Sequence, residues 1–391
     1  MTRPKILIVD DEPFNVDYLE QELEELEYET SCALNGREAL DKVRLEPPDL
    51  ILLDIMMPVM DGFEVLARLQ ADPVTRDVPV IVISANSDLP SMVKGIQLGA
   101  EDYLPKPFEP TLLRARIASS LEKKHLRDLQ QMYMKSLQRE LEIGRQIQKG
   151  FLPSELPAAD GWEIASSFRA AREVAGDFYD AFELESERKI CLVIADVCDK
   201  GVGAALFMTL FRSLLRFTMS VSDFLGEPST ASRLNYAASL TNNYIANTHG
   251  DTGAFATVFL GLLDPFTGRL SYINAGHECP LLLSARGACT LLKRTGPALG
   301  AIPDVEFVVR EVQLREGELL FAFTDGAPDA LNPAGHEFSR EYLVSLLHTG
   351  ASAETLLGEI DAQLNEHIGD ADPFDDITLL AARRVPFSKG M

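Results

Sequence analysis

The first 110 residues alternate short apolar runs with longer segments in which apolar residues recur every three or four positions. Each short run has the length of a strand, is rich in branched aliphatic residues and stops at a polar residue. The sequence predicts strands at 5–9, 50–53, 78–83 and 102–104, a helix at 14–26, and a further strand and helix within 28–44. This alternation predicts a parallel sheet with helices on both faces.

Polar side chains stand where these predicted strands end. They are Asp10, Asp11, Asp54, Ser84 and Lys106, and in such sheets the reactive groups gather at the carboxyl ends of the strands. Three carboxylates at one edge repel each other unless a divalent cation lies between them. With that cation bound, one carboxylate can attack a phosphoryl group, while Lys106 offsets the charge and Ser84 donates a hydrogen bond. An aspartate pair alone is more typical of a helix cap, but the ordered set indicates a site.

Residues 110–150 carry no strand pattern and are dense in strong helix formers. Their apolar residues recur at Ile117, Leu121, Leu126, Leu129, Tyr133, Leu137, Leu141 and Ile147. This seam predicts a long helix paired with its copy in a second chain. The alternative is a helix folded back on its own domains. Gly144 breaks the repeat, and Pro153 disfavours helix at Leu152 and so ends the element.

From Trp162 onward, short strands joined by turns surround two helices. Strands are predicted at 164–168, 177–182, 190–194, 256–261, 269–273, 280–283, 318–323 and 377–380, and helices at 204–221 and 229–248. Short antiparallel strands with inserted helices predict an α+β sandwich of layers.

The stretch from Ile190 to Leu206 is central to this half of the chain. It begins as an uncharged, branched aliphatic strand and stops at Asp196, and a turn with two glycines precedes the next helix. A buried strand that ends in a carboxylate suits a hard cation. The alternative is that Asp196 caps the following helix.

Three further acidic corners resemble this one. Gly176-Asp177 opens a strand, Thr324-Asp325-Gly326 closes one, and Asp375-Asp376 opens the last. We expect the four corners to meet at one edge of the sandwich and to bind Mg²⁺ or Mn²⁺ through oxygen ligands. Two such cations about 4 Å apart can share one carboxylate, activate a water and clamp a phosphoryl group. The chain has no HExxH motif and no cysteine/histidine cluster, so a zinc site is not expected.

Composition narrows the class of protein. A length of 391 residues predicts two or three domains, and a net charge of −24 argues against nucleic-acid binding. The five cysteines are scattered without a CxxC pair, a pattern of a reducing compartment. The first apolar run is too short for a signal peptide, and no apolar stretch approaches the roughly 20 residues that span a bilayer. We therefore expect a cytoplasmic protein without a membrane partner.

Residues 1 to about 120 resemble two-component receiver domains in VDDE, LLDIMMPVMDG and KPF. The resemblance implies that Asp54 accepts the phosphoryl group from a sensor histidine kinase or phosphotransfer protein. Asp10, Asp11, Asp54 and the Met56 carbonyl would hold Mg²⁺. Lys106 would precede a cis Pro107, and Ser84 and Tyr103 would form the switch pair. A flavodoxin-like domain without phosphotransfer is the alternative.

Residues 140 to about 385 resemble the metal-dependent (PPM) serine/threonine protein phosphatases, most closely the bacterial sigma-factor-regulating and sporulation stage II branch. The shared segments are QIQKGFLPSELP, VAGDFYD, ADVCDKGVGAAL, ATVFLGLLDPFTGRLSYINAGHECPLLL, FTDG and DDITLL. By this resemblance two Mn²⁺ or Mg²⁺ ions bind. Asp196 bridges both, the Val197 carbonyl joins it, and Asp177 serves one ion. Asp325 and Asp375 serve the other, and Asp376 is a less certain ligand.

Two positions depart from the family pattern. Many relatives carry Gly and His where this chain has Asp199 and Lys200. The general acid for the leaving oxygen is therefore open: Lys200 could supply charge, or bulk water could supply the proton. Eukaryotic relatives also place a phosphate-binding arginine near the first of the acidic motifs. In this chain Arg169 and Arg172 lie upstream of that motif, and neither is assigned.

The predicted architecture is multidomain: a doubly wound flavodoxin-like α/β receiver at 1–120, a helical linker at 121–152 and an α+β PPM-type sandwich flanked by helices at 153–391. The predicted function is a response regulator whose aspartate phosphorylation controls a protein phosphatase. By resemblance its substrate is a phosphoserine on an anti-sigma-factor antagonist. The alternative is a non-catalytic, phosphatase-like adaptor, but none of the four corners has lost its carboxylate. The motifs of a nucleotide cyclase are not found.

Overall fold

The computed structural model describes residues 3–85, 89–107, 109–184, 188–221 and 229–386. The chain divides into two compact units, Met1–Leu137 and Gln138–Met391. This division falls inside one long helix, and the predicted boundaries at 120 and 152 stay predictions.

The first unit is built around a five-stranded parallel sheet. Its elements are β1 (Lys5–Val9), α1 (Pro13–Glu25), β2 (Glu29–Ala33), α2 (Gly36–Leu45), β3 (Leu50–Asp54), α3 (Gly62–Ala71), β4 (Val80–Ser84), α4 (Leu89–Gln97), β5 (Asp102–Pro105) and α5 (Pro110–Lys149). The strand order is β2-β1-β3-β4-β5, the doubly wound order of flavodoxin-like folds. The central strands β3 and β4 are buried along their whole length, because apolar side chains cover both faces of the sheet.

Helix α5 continues without interruption from Pro110 to Lys149. Gly144 breaks the apolar repeat but not the helix, since a lone glycine costs only about 1 kcal/mol in a helix interior. Leu113 and Ile117 are buried, whereas most later apolar residues of the seam are exposed, namely Leu126, Leu129, Tyr133, Leu137 and Ile147. Among the described residues this part of α5 therefore presents an exposed apolar face, and pairing with a second chain stays a prediction.

The second unit contains two antiparallel five-stranded sheets. Its elements are β6 (Trp162–Arg169), β7 (Phe178–Leu184), β8 (Lys189–Val197), α6 (Val202–Val221), α7 (Thr230–His249), β9 (Ala256–Leu263), β10 (Arg269–Ala275), β11 (Leu281–Leu283), β12 (Cys289–Leu291), β13 (Arg310–Gln313), β14 (Leu319–Phe323), α8 (Arg340–Ser345), α9 (Ala353–Ile368) and β15 (Ile377–Arg384). The first sheet has the order β13-β10-β9-β8-β7 and the second has the order β12-β11-β14-β15-β6. All eight predicted strands and both predicted helices are present.

The two sheets pack face to face between helices. Alternate residues of the first sheet, such as Leu192 and Phe259, meet Leu320 and Leu380 of the second in a shared apolar layer. The opposite face of the first sheet packs on α6 and α7, and that of the second on α8 and α9. The result is a four-layered sandwich, in agreement with the predicted α+β class.

Helix α6 is long and apolar enough to cross a membrane by length and composition. Its apolar residues Met208, Phe211 and Leu215 are fully buried in the layer against the first sheet. A core helix of a sandwich accounts for that composition.

Candidate active site

Three carboxylates meet at the carboxyl edge of the receiver sheet. Asp10 and Asp11 follow β1, and Asp54 is the last residue of β3. One oxygen from each can lie within 4.8 Å of the other two. Asp10 and Asp54 are buried, and Asp11 is partly exposed. Three carboxylate oxygens at this spacing fit a single hard divalent cation such as Mg²⁺.

Lys106 lies among these carboxylates. Its Nζ is 2.6 Å from Asp10 Oδ2 and 2.8 Å from Asp54 Oδ2. Burial alone lowers the pKa of Lys106, but its hydrogen bonds to the two aspartates and their charges outweigh burial, so the pKa is raised overall. The ammonium therefore stays charged beside Asp54. The Lys106–Pro107 peptide bond is cis, as the resemblance implies, and the last residue of the KPF motif lies outside the described residues.

The other residues predicted for the receiver site lie around Asp54. The Met56 N–H donates to Asp54 Oδ1 at 3.3 Å, so the Met56 backbone turns back toward this carboxylate. Ser84 ends the neighbouring strand β4, is fully buried, and accepts the Lys106 N–H through its carbonyl at 2.8 Å. Tyr103 lies in β5 and is buried. The strand order of the sheet thus brings residues from β1, β3, β4 and the end of β5 to one edge.

Four aspartates of the second unit lie at strand ends, two from each sheet. Asp177 directly precedes β7 and Asp196 is the next-to-last residue of β8, whereas Asp325 follows β14 and Asp375 precedes β15. Asp196 does not cap α6, because that helix begins only at Val202. The alternative interpretation of Asp196 is therefore wrong.

The electrostatics of these aspartates indicate that they converge. Burial, followed by the charges of Asp325, Asp375 and Asp376, raises the pKa of Asp196 to about 7. Burial, followed by the charges of Asp196 and Asp376, also raises the pKa of Asp177 well above its usual range. Burial and then the charge of Asp375 raise that of Asp325. Carboxylates that oppose each other's ionisation in this way favour a bound cation.

The carboxylates of the second unit are more widely spaced than Asp10, Asp11 and Asp54 of the first unit. Among the described residues, no three of these aspartates bring oxygens within 4.8 Å of one another. A single central ion would not contact three of them. Carboxylates spread in this way would hold cations at more than one position, where the cations would supply an activated water. All the ligands are hard oxygen atoms, so the donor set fits Mg²⁺ or Mn²⁺.

Asp376 has a structural use that the sequence does not reveal. Its Oδ1 accepts the Ala171 N–H at 2.7 Å and its Oδ2 accepts the Gly176 N–H at 2.8 Å. Both oxygens thus fix the irregular segment before β7 against the start of β15. Thr378, two residues later, donates from Oγ1 to Asp177 Oδ2 at 2.7 Å. Asp376 therefore has less freedom to bind a cation than the other aspartates.

The Val197 carbonyl lies beside the same segment. A Cβ on Gly176 would be only 2.9 Å from Val197 O, so glycine allows this close approach. The chain then reverses through Asp199 and Gly201, both of which have positive φ. Lys200, between them, reaches across to Asp375 with Nζ 2.8 Å from Oδ2. The position that departs from the family pattern therefore contacts a predicted metal ligand.

The two arginines that the sequence analysis left unassigned differ in their surroundings. Arg169 pairs with Asp361 at 3.8 Å, and Arg172 is exposed. His277 is fully buried with Nδ1 2.9 Å from Thr257 Oγ1. Sequence reasoning missed the bonds that hold Asp177 in place. The threonine of DDIT was visible in the sequence, but its bond to Asp177 joins two different sheets and becomes clear only from the way they pack.

The comparisons with known families now give the class of the protein. The family model of Stage II sporulation protein E (SpoIIE) matches residues 186–385, and the response regulator receiver domain model matches residues 6–118. The first match covers 200 of the 391 residues. The chain belongs to the SpoIIE family, with a receiver domain before its phosphatase-type domain. The predicted family and fold class are thereby confirmed.

Individual relatives match part of this chain. Protein IcfG of Synechocystis sp. is 44% identical over 263 residues, which cover 63% of this chain and 41% of IcfG. Response regulator PleD of Caulobacter vibrioides is 44% identical over 115 residues, which cover 29% of this chain and 25% of PleD. The chain thus spans less than half of the length of these two relatives.

Among solved structures, the SiaA-PP2C domain of Pseudomonas aeruginosa is similar with a TM-score of 0.54 at 22% identity. The match covers 64% of this chain and 98% of that domain. At this identity the likeness shows the fold alone.

Proposed function

We propose that this protein is a response regulator whose second unit hydrolyses phosphoserine or phosphothreonine in a protein substrate with the help of two Mn²⁺ or Mg²⁺ ions. The proposal is supported by the placement of Asp177, Asp196, Asp325 and Asp375 at strand ends of the two sheets. Burial and neighbouring carboxylates raise the pKa of the first three. Such a concentration of negative charge destabilises the fold unless it serves to bind cations. It is therefore better explained by function than by stability.

Within this proposal the side chains have separate roles. Asp196 would bridge the two ions, Asp177 would serve one of them and Asp325 with Asp375 the other, and the Val197 carbonyl would add an uncharged oxygen. Cations bound there would supply an activated water and polarise the phosphoryl group. Asp376 and Thr378 hold Asp177 in position through the bonds described above. Lys200, with its ammonium at the rim, adds positive charge for the departing oxygen.

The receiver would regulate this activity through Asp54. We propose that a sensor histidine kinase or phosphotransfer protein donates a phosphoryl group to Asp54, with Mg²⁺ at Asp10, Asp11 and the Met56 carbonyl. Lys106 is positioned to offset the added charge, since its Nζ is 2.8 Å from the Asp54 carboxylate. Ser84 and Tyr103 would then reorient, and α5 would carry the change toward the second unit.

The proposed substrate is a phosphoserine on an anti-sigma-factor antagonist. This choice rests on the resemblance to the sigma-factor-regulating branch of the family. A panel of phosphorylated antagonist proteins, assayed for release of phosphate, tests it. Equal rates for an unrelated phosphoprotein would contradict this choice of substrate and leave the phosphatase proposal intact.

We also propose that two copies pair through α5 in the cytoplasm. The exposed apolar face of this helix supports pairing, and its members are Leu126, Leu129, Met132, Tyr133, Leu137, Ile143 and Ile147. Burying such a face removes apolar surface from water. Light scattering on the full chain should give twice the monomer mass, and Tyr133→Glu should restore the monomer. A monomeric wild type would rule the pairing out.

One assay separates the enzyme from a non-catalytic adaptor. Wild-type protein should hydrolyse nitrophenyl phosphate and a phosphoserine peptide only when Mn²⁺ or Mg²⁺ is present. Asp196→Asn should lower the rate by more than about 100-fold, since loss of a ligand costs more than loss of an outer-shell partner. The exposed Asp251 gives the matched control, because Asp251→Asn changes the charge equally outside the site. Equal rates for all three proteins would reject the catalytic assignment.

A second assay tests regulation. Beryllofluoride or acetyl phosphate should change the phosphatase rate of the wild type and leave that of Asp54→Asn unchanged. The direction of the change defines whether phosphorylation activates or inhibits. An unchanged wild-type rate, with acetyl phosphate incorporation at Asp54 verified by mass spectrometry, would refute the coupling.

A further inference from the structure

The last turns of α5 contact the segment that leads to Asp177. A Cβ on Gly144 would lie 3.7 Å from Val174 Cγ1, in ordinary van der Waals contact. One turn later, Gln148 is 7% exposed although its neighbours in the helix are exposed. A buried amide on an otherwise solvated turn requires partners, because an unpaired buried polar group is costly.

Gln148 finds both partners on a single residue. Its Nε2 donates to the Ala175 carbonyl at 2.7 Å, and its Oε1 accepts the Ala175 N–H at 2.9 Å. The amide thus replaces the strand or helix partner that Ala175 lacks, since residues 170–177 form neither element. The N–H and the carbonyl of Ala175 therefore both bond to the same side chain of α5.

Ala175 is two residues from Asp177. The intervening Gly176 is closely surrounded: its N–H donates to Asp376 Oδ2 at 2.8 Å, and a Cβ on it would lie 2.9 Å from Val197 O and 3.2 Å from Ala204 Cβ. The backbone between Ala175 and Asp177 has little room to move, so we expect a displacement of Ala175 to displace Asp177 as well. The Gln148 amide is therefore connected to the proposed metal site through two peptide units.

We propose that Gln148 is a positioning residue that sets the affinity of the metal site by holding Ala175, and through it Asp177, in the binding geometry. This inference rests on the proposed function. It adds that the end of α5 acts on the proposed ligand Asp177, because the Gln148 amide hydrogen-bonds to the backbone of Ala175. Outer-shell partners of this kind typically change metal affinity by roughly 10- to 100-fold when removed.

The test uses the full chain and Mn²⁺. Gln148→Met keeps the length and volume of the side chain but removes both hydrogen bonds. Gln148→Glu retains the acceptor for the Ala175 N–H and loses the donor to its carbonyl. Gln146 is exposed on the same helix, so Gln146→Met and Gln146→Glu are the matched controls. Calorimetric titration measures Mn²⁺ affinity, and hydrogen exchange followed by mass spectrometry measures protection of the peptide that contains residues 171–178.

We expect Gln148→Met to bind Mn²⁺ roughly tenfold more weakly and to exchange faster at residues 175–177. Gln148→Glu should lie between it and the wild type. At saturating Mn²⁺ the kcat should return to within about twofold of wild type, because the ligands themselves are intact. A purely structural role would lower the unfolding temperature without changing the affinity of the folded protein. If Gln148→Met does not fold, the same comparison is made with Gln148→Glu.

The outcomes separate this inference from the proposed function. Wild type that binds Mn²⁺, with Gln148 and Gln146 variants of equal affinity, overturns the positioning role alone. Wild type without measurable Mn²⁺ affinity overturns the proposed function and this inference with it. Weaker binding with unchanged exchange at residues 175–177 also overturns the inference, because the effect would then not pass through Ala175.

Discussion

The ammonium of Lys200 lies 2.8 Å from Oδ2 of Asp375. The same Nζ donates to the Phe374 carbonyl at 2.8 Å and lies 4.6 Å from the centre of the Phe374 ring. Lys200 follows β8 in the first sheet, and Asp375 precedes β15 in the second. The pair therefore joins the two sheets across the mouth of the proposed metal site, and it places a monovalent cation on a carboxylate that a divalent ion would use.

Removal of this cation should strengthen metal binding. Lys200→Gln frees Asp375, and we expect Mn²⁺ affinity to rise by up to about fivefold, a small effect because exposed pairs are worth only about 0.2–1 kcal/mol. Calorimetric titration measures the change. Lys293→Gln removes the same charge from an exposed residue elsewhere in this unit. An equal rise in both variants would show that net charge, and not the pair, controls affinity.

The convergence of acids should also cost stability. Asp196→Asn removes one partly buried charge from a repulsive cluster, and an amide can still hydrogen-bond to Asp177. With a chelator present at pH 8, we expect the free energy of unfolding of Asp196→Asn to exceed that of the wild type by on the order of 1–3 kcal/mol. With metal present, the variant should have lost its activity. Urea denaturation with and without chelator measures the difference in stability. A variant less stable than wild type without metal would show that these charges do not repel each other in the free protein.

Gly326 of the TDG motif should tolerate no side chain. A Cβ there would lie 2.0 Å from Asp376 O and 3.2 Å from Asp375 Cβ, so the backbone before β15 must move. We expect Gly326→Ala to lose on the order of 1–3 kcal/mol of stability and to weaken Mn²⁺ binding by at least about tenfold.

A second glycine provides the contrast. Gly358 lies within α9 and has no atom within 4 Å of its would-be Cβ. Gly358→Ala should stabilise the protein by about 0.5–1 kcal/mol and leave Mn²⁺ affinity unchanged. Similar losses of binding in both variants would indicate a general sensitivity to substitution.

His277 should make stability depend on pH. Burial, with a smaller contribution from Arg294, lowers the pKa of His277 from 6.5 to about 3. Between these values the unfolded chain binds a proton that the folded chain does not, so the stability present above pH 6.5 is lost as the pH falls toward 3. From pH 7 to pH 5 the loss should be about 2 kcal/mol.

His277→Gln should remove this component. Denaturation at pH 7 and pH 5 should therefore show a smaller change for the variant than for wild type, by the amount given above. His125 is exposed on α5, and His125→Gln is the matched control for loss of an imidazole at the surface. Identical pH profiles for wild type and His277→Gln would mean that His277 is protonated in the folded state.

The strands that carry the acids were predictable because their own sequences define them. β3 is apolar along its length until Asp54, and β8 until Asp196, so the change in polarity marks the end of each strand. A short, uninterrupted apolar run of this length is typical of a strand that is buried on both faces of its sheet. The ligand assignments themselves stay predictions, since they require a bound ion to test.

The strands β12 and β13 were missed for the opposite reason. Both are short and largely exposed, so they lack any apolar pattern and exist through pairing with β11 and β10. The helices α8 and α9 were also missed. For α9 the signal was present, because Ser352 caps a segment with Leu356, Leu357, Ile360 and Leu364 at helical spacing.

The two hydrogen bonds between the Gln148 amide and the Ala175 backbone could not be derived from the sequence. Ala175 is 27 residues away from Gln148 in a segment without regular structure. No periodicity marks such a pair, and a glutamine near a helix end is ordinary. Only the folded backbone shows that its amide is buried.

Each sheet of the sandwich contributes only half of the proposed acidic ligands, and the apolar layer between the sheets brings the halves together. A newly made chain that has formed both sheets without docking them holds its carboxylates in two separated pairs. It has too little local charge to retain two divalent ions. Metal binding at the proposed site would therefore require the two sheets to have packed together.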